Sequence, residues 1–366
     1  MGDILGIGCT HAPHLQFTDD AMANVLRRTM RSERTPEALR DPRNWPAPMQ
    51  AEWGADEGLA AARRHRAELL AGFRAARAAL DAFQPDFVLI WGDDQYENFR
   101  VDLLPAFCVY ALDQLAIAPF RASNGLGASA NVWGAPTDTV MRVRGHQVAA
   151  IQIAHALIES GFDVATSYRM HHSVTLGHAH TRTILYLDYD RRGFDYPVIP
   201  FHVNCYGASL RVPPADRTGA EGQSVRPPPS PPPWRCYDLG KRVAEIIADS
   251  PWRAAVIGSS SWSHGTLTAK HYYLYPDVAA DRERYAELAR GEFYRWRDLD
   301  ASAMQAAGQH EMLNWVCLAG AMEGRRAGMT TFVQSYLFNS NKVLAVWPAE
   351  ARAPALASRT DEMSVS

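Results

Sequence analysis

Three features of the sequence predict an α/β fold with three layers, α/β/α, around a central mixed, largely parallel sheet. Short, mainly apolar runs recur at residues 4–8, 87–91, 198–203 and 254–258, the pattern of strands buried on both faces. Stretches of helical periodicity alternate with them, most plainly residues 59–83. Polar clusters follow several of the runs directly, and ligands in such sheets bind beyond the carboxyl ends of the strands.

Taken in order, residues 4–8 form a first strand that enters the loop Cys9-Thr10-His11-Ala12-Pro13-His14. Residues 17–58 hold no sustained period, and Pro36, Pro42, Pro46 and Pro48 break them repeatedly. They read as a lid-like or subunit-contact excursion. Residues 59–83 follow as a helix with Leu69, Phe73, Ala76 and Leu80 on one face, stopped by Pro85. The strand at 87–91 ends in Gly92-Asp93-Asp94-Gln95. A helix starts near Gly145-His146 and runs to about Ser160, followed by strands at 163–167 and 198–203. Residues 213–233 carry eight of the chain's 23 prolines and read as a Pro-rich surface loop, with a linker or a polyproline ligand as alternatives. Beyond it come a helix at 235–249, a strand at 254–258, helices at 281–296 and 309–323, and strands at 330–336 and 343–347. Residues 1–347 are expected to form a single catalytic domain and 348–366 a disordered tail.

Composition narrows the function. The chain has 366 residues, is 47% hydrophobic and 21% charged, and carries a net charge of −3. Those values fit a globular protein and exclude collagen-like and disordered classes. A slightly acidic chain lacks the basic footprint that nucleic-acid binding needs. No run approaches the roughly 20 apolar residues of a membrane span, and no secretory leader is evident at the first residues. The five cysteines are scattered without a C-x-x-C pair, so buried free thiols and a cytoplasmic location are expected. Thirteen histidines against five cysteines point to acid–base or His/carboxylate metal chemistry.

Most histidines carry no function by themselves. His65, His155 and His271 read as structural or surface residues. His171, His172, His178 and His180 are unusually dense but fit a partly solvated helix face. His11, fixed between a strand end and a proline, and His264, after a strand among small residues, are the acid–base candidates. Competing motifs fail at single positions. Gly6-Ile7-Gly8 lacks the third glycine of a dinucleotide fingerprint, since His11 stands there. Gly258-Ser259-Ser260-Ser261-Trp262 lacks the last glycine of a nucleophile elbow. His310-Glu311-Met312-Leu313-Asn314 ends in Asn where a zinc protease has its second His.

Six segments in sequence order carry a family resemblance: Gly6-Ile7-Gly8-Cys9-Thr10-His11-Ala12-Pro13, residues 85–95, residues 197–204, Arg235-Cys236-Tyr237-Asp238-Leu239-Gly240, residues 256–264, and Glu311-Met312-Leu313-Asn314-Trp315. Together they resemble the class III extradiol ring-cleavage dioxygenases of the protocatechuate 4,5-dioxygenase catalytic-subunit type, most nearly the 3-O-methylgallate dioxygenase branch. The resemblance implies a non-haem Fe(II) centre held by two histidines and one carboxylate, with no organic cofactor. His11 and Glu311 match two metal ligands, His264 the active-site base, and His172 a second active-site histidine. Gly145-His146 recurs in the family and reads as structural. The second histidine ligand is replaced: Gln95 stands in its place. Gln95 itself, Asp93 or Asp94 could supply an oxygen there, or the site has lost its metal.

The expected function is therefore extradiol opening of a catechol-type ring (gallate, 3-O-methylgallate or protocatechuate-like) with O2 by a homodimer, with no nucleic-acid or membrane partner. A non-oxidative metal-dependent hydrolase on the same scaffold is the alternative. A non-catalytic scaffold that recruits partners through its proline block is a third reading.

Overall fold

The computed structural model describes residues 2–100, 102–121, 131–207 and 228–349. Ten strands and nine α-helices alternate among these residues. The strands are β1 (Asp3–Cys9), β2 (Phe87–Gly92), β3 (Phe107–Tyr110), β4 (Gln114–Ile117), β5 (Met141–Arg144), β6 (Ala165–Ser167), β7 (Val198–Val203), β8 (Arg253–Ser259), β9 (Met329–Val333) and β10 (Lys342–Trp347). The helices are α1 (Asn24–Met30), α2 (Ala47–Trp53), α3 (Leu59–Phe83), α4 (Gln147–Glu159), α5 (His178–Leu187), α6 (Pro233–Ala248), α7 (Val278–Arg290), α8 (Ala301–Ala306) and α9 (Leu313–Ala321).

Eight strands form one mixed sheet in the order β6-β3-β7-β2-β8-β1-β10-β9, and β4 and β5 make a separate hairpin. The four central strands β7, β2, β8 and β1 are mutually parallel, while β10 runs antiparallel to β1 and β3 antiparallel to β7. Alternation along each strand sorts the side chains onto two faces. Leu89, Trp91, Val256 and Phe201 point into a core shared with α4, α6 and α9. Val88, Ile90, Ile7 and Ile257 point into the opposite core, under α3 and α5. This is the three-layer α/β/α arrangement expected from the sequence.

Close helix packing sets the position of α9 at the strand ends. A Cβ on Gly240 would overlap the Cys317 carbonyl, and one on Gly320 would overlap the Tyr237 carbonyl. Glycine at both crossing points lets α6 and α9 approach backbone to backbone.

Two expectations need correction. The helix α5 is buried along its whole length, so His178 and His180 lie on no solvated face. The late helix begins at Leu313, after a single 3-10 turn at His310–Met312 that holds Glu311. In the 17–58 excursion, Met22, Leu26 of α1, Trp45 and Met49 of α2 are buried with Ala61 and Ala62 of α3 and with Leu337 and Phe338. Residues 213–227 of the Pro-rich stretch and 350–366 of the tail lie outside the described residues; within them, Pro232 and Pro233 open α6. Proline is tolerated there because the first helical N–H has no partner to lose. No described helix is long and apolar enough to cross a membrane.

Candidate metal centre

The parallel strands β1, β2, β7 and β8 end side by side, and each hands a polar residue to the same place. His11 follows β1, Asp93 and Gln95 follow β2, Tyr206 follows β7, and His264 follows β8. The first turn of α5 adds His178, and the turn before α9 adds Glu311. Together with Arg28 of α1 and Arg182 of α5 they line a cavity of about 170 Å3, Asp93 lying just behind it. His11, Asp93, His178 and Glu311 are all buried, and each offers a ligand atom within 4.8 Å of the others.

Each of these groups is oriented by a neighbour. His11 Nδ1 lies 3.1 Å from both the carbonyl and the hydroxyl oxygen of Ser259. A ring N–H donated there leaves Nε2 with its lone pair toward the centre, 3.2 Å from Glu311 Oε2 and 3.6 Å from Asp93 Oδ1. His178 is gripped by Glu97, which accepts from the His178 backbone N–H at 3.0 Å and from Nδ1 at 2.8 Å. That contact directs His178 Nε2 inward, and the His178 ring packs edge-on against His11 with centroids 4.9 Å apart. A carboxylate–histidine pair of this kind is the usual outer support of a metal-bound imidazole. Asn314 Nδ2 donates to Asp93 Oδ1 at 3.3 Å and to the Ser259 carbonyl at 3.1 Å, which ties β2, β8 and α9 together.

Glu311 is divided between two surroundings. Its Oε1 accepts from Gln95 Nε2 at 3.0 Å and from the Tyr206 hydroxyl. Its Oε2 faces His11 and His264 and receives no hydrogen bond, and Asp93 Oδ2 is likewise buried without a donor. Two carboxylate oxygens buried this way are costly unless a cation compensates them. Burial opposes ionisation of Glu311, yet the facing His264 and His11 hold it well below the usual carboxylate range. Burial and the Glu311 charge push Asp93 the other way, well above that range. Two imidazoles and two carboxylates around one point are a donor set suited to a divalent transition metal.

His264 sits on the rim. Its Nδ1 donates to the Trp262 carbonyl at 2.9 Å, leaving Nε2 as an acceptor 3.4 Å from Glu311 Oε2. Burial depresses its affinity for a proton, so the neutral ring is favoured.

The structure thus brings His11, Gln95, Glu311 and His264 into one cavity. It places His172 elsewhere: the ring is partly exposed, 2.9 Å from Asp102 Oδ2, on the wall of a neighbouring cavity. Gln95 presents its amide nitrogen to Glu311 and so braces that carboxylate. Asp94 turns away and accepts from the backbone N–H groups of Glu97, Asn98 and Phe99. The sequence reading missed His178, Glu97 and Tyr206 as site residues. The crowding of histidines at 171–180 was the available signal, but spacing alone does not say which of the four faces inward.

No family model matches the chain. Among curated proteins it is similar to the 2,3-dihydroxyphenylpropionate/2,3-dihydroxicinnamic acid 1,2-dioxygenase 2 of Pseudomonas putida, 35% identical over 138 residues, covering 37% of this chain and 36% of that protein. The corresponding dioxygenase of Burkholderia vietnamiensis is 31% identical over 191 residues, covering 52% and 47%. That of Paraburkholderia phymatum is 30% identical over 214 residues, covering 58% and 52%. The chain spans about half the length, or less, of these relatives. They are named as dioxygenases, in keeping with the extradiol resemblance read from the sequence.

Proposed function

We propose that the chain is an extradiol ring-cleaving dioxygenase that opens a catechol-type ring with O2 at a divalent iron centre. The observation that carries this reading is the buried cluster of His11, Asp93, His178 and Glu311 at the strand ends, with ligand atoms within 4.8 Å of one another and Glu311 Oε2 facing His11 without a donor. His11, His178, Glu311 and Asp93 would hold the metal, with Gln95 acting on it through Glu311. Bound iron would serve as a Lewis acid for the ring hydroxyls and conduct electrons from the ring to oxygen.

The remaining work falls to side chains. His264 Nε2 faces the cavity as an acceptor and takes the proton of a ring hydroxyl, after which its charge is balanced by Glu311 at 3.4 Å. Gln95 and Tyr206 fix one oxygen of Glu311 so that the other keeps its direction. Val25 and Arg28 of α1 close one side of the cavity, which makes the 17–58 excursion a wall that limits water access. A gallate, 3-O-methylgallate or protocatechuate-like ring, a homodimeric assembly and a cytoplasmic location complete the reading.

Oxygen uptake tests it. Protein purified without oxygen and loaded with Fe(II) is expected to consume O2 with gallate, 3-O-methylgallate, protocatechuate or 2,3-dihydroxyphenylpropionate, and to stop when a chelator removes the iron. His264→Ala should abolish uptake while leaving iron content nearly intact. Ester or amide turnover without oxygen would favour the hydrolase instead, and loss of iron in His264→Ala would remove it from the base role.

A further inference from the structure

Behind the metal cavity, one buried carboxylate ties together three segments that border it. Asp281 lies in the first turn of α7 and is fully buried. Its Oδ1 accepts from the Ser263 backbone N–H at 3.0 Å and from Gln309 Nε2 at 2.7 Å. Its Oδ2 accepts from the same Ser263 N–H at 3.1 Å and from Asn341 Nδ2 at 2.7 Å. Each donor stands beside a residue of the site. Ser263 precedes His264, Gln309 caps the 3-10 turn that holds Glu311, and Asn341 follows Ser340 of the cavity wall. All three donors are uncharged, so burying a carboxylate among them costs desolvation that an apolar side chain would avoid. Burial raises the Asp281 pKa to about 7, with the three donors opposing the shift. Above that pH both oxygens are ionised acceptors.

We infer that Asp281 is a positioning residue for ring cleavage: by holding Ser263, Gln309 and Asn341 on one carboxylate, it keeps the His264 ring turned with Nε2 toward Glu311. This rests on the proposed dioxygenase function and deepens it by adding a residue that acts through the base. The His264 ring takes its direction from the backbone that Asp281 grips. Its Nδ1 donates to the Trp262 carbonyl at 2.9 Å, two residues back, across Ser263. The His264 N–H donates to the Gly308 carbonyl at 3.0 Å, one residue before Gln309. Release of Ser263 and Gln309 therefore frees both backbone supports of the ring. A displacement of about 1 Å in a reacting group is enough to cost up to about 100-fold in rate. Glu311 itself keeps its bonds from Gln95 and Tyr206, so the metal ligands are held independently of Asp281.

The test has one readout with turnover and one without. At pH 8, Asp281→Ala in the iron-loaded protein is expected to lower kcat for oxygen uptake with protocatechuate or gallate by about 10- to 100-fold, leaving KM and iron content nearly unchanged. Asp281→Asn should recover most of that loss, because Gln309 can turn its amide and accept from the new N–H. The second readout is the tautomer of His264 in two-bond 1H–15N NMR spectra of the Zn(II)-loaded protein, its signals assigned by their loss in His264→Ala. The native chain is expected to show the Nδ1–H form alone, and Asp281→Ala a mixture of tautomers. Should Asp281→Ala fail to fold, Gln309→Met decides in its place. That change cuts only the tie to the Glu311 turn and should lower kcat by about 3- to 10-fold, the value of one hydrogen bond. Native kcat with a single tautomer in Asp281→Ala would overturn the inference, as would native kcat in Gln309→Met. A raised KM at unchanged kcat would also overturn it, since that marks a loosened cavity rather than a displaced base. If the tautomers mix in Asp281→Ala but the native chain consumes no oxygen with any catechol, the positioning of His264 stands and the dioxygenase reading falls.

Discussion

The Glu97 carboxylate holds His178 at two points, the backbone N–H and the ring Nδ1, and this double grip fixes which ring nitrogen faces the centre. If His178 supplies the second imidazole to a metal, Glu97→Gln should lower affinity for Fe(II) by about 10- to 100-fold, as removal of such outer partners does elsewhere. His178→Ala should lower it further, whereas Gln95→Ala should cost only a few-fold because Tyr206 still donates to Glu311. Anaerobic competition against a chelator of known affinity measures all three; an intact affinity in His178→Ala would return the ligand position to the loop after β2. His11 and Glu311 were reached as metal ligands from the sequence only through the family resemblance, which matches each in a short segment. His178 was not, since the four histidines at 171–180 differ only in the direction of their side chains. A ring 31% exposed beside Asp102 and one 6% exposed beside Glu97 look alike as letters.

Helices with an apolar period were readable from the sequence and those without one were not. Residues 59–83 form α3 with the expected bounds because Leu69, Phe73, Ala76 and Leu80 mark its buried face at helical spacing. The helix α5 carries His178, His180, Thr181, Arg182 and Thr183 in buried positions, so its pattern hides the burial. Its seat depends on polar contacts instead: Tyr186 donates to the Ala12 carbonyl at 2.8 Å and so joins α5 to the loop that carries His11. Helix α1 was also illegible, being a single amphipathic segment of seven residues among breakers. Its Leu26 is 2% exposed within the cluster beneath the excursion. Leu26→Ala should cost about 2–5 kcal/mol locally. Because Val25 and Arg28 border the metal cavity, the same change should raise KM more than it lowers kcat. Steady-state oxygen uptake beside a thermal melt checks this, and an unchanged KM would detach the excursion from the site.

Across the whole molecule, one buried cation links stability to pH. Lys342, at the start of β10, is fully buried and donates to the carbonyls of Phe338 and Ser340 at 2.6 Å each. Those carbonyls belong to the loop that also supplies Asn339 and Ser340 to the cavity wall and pairs with His264 through Ser340. Burial lowers the Lys342 pKa from its ordinary 10.5 to about 7, with Glu52 opposing the shift. Below pH 7 the lysine is charged in both folded and unfolded chains, and the folded state bears the cost of burying that charge. Between about pH 7 and 10.5 the folded chain has released the proton while the unfolded chain keeps it. The unfolded state therefore binds more protons in that window, and this group's contribution to stability rises with pH. Denaturant midpoints compared at pH 6.5 and 9 should rise more for the native chain than for Lys342→Met, which has no charge to release. Parallel pH profiles for the two proteins would show that Lys342 stays protonated in the fold, with its charge satisfied by the loop carbonyls and Glu52.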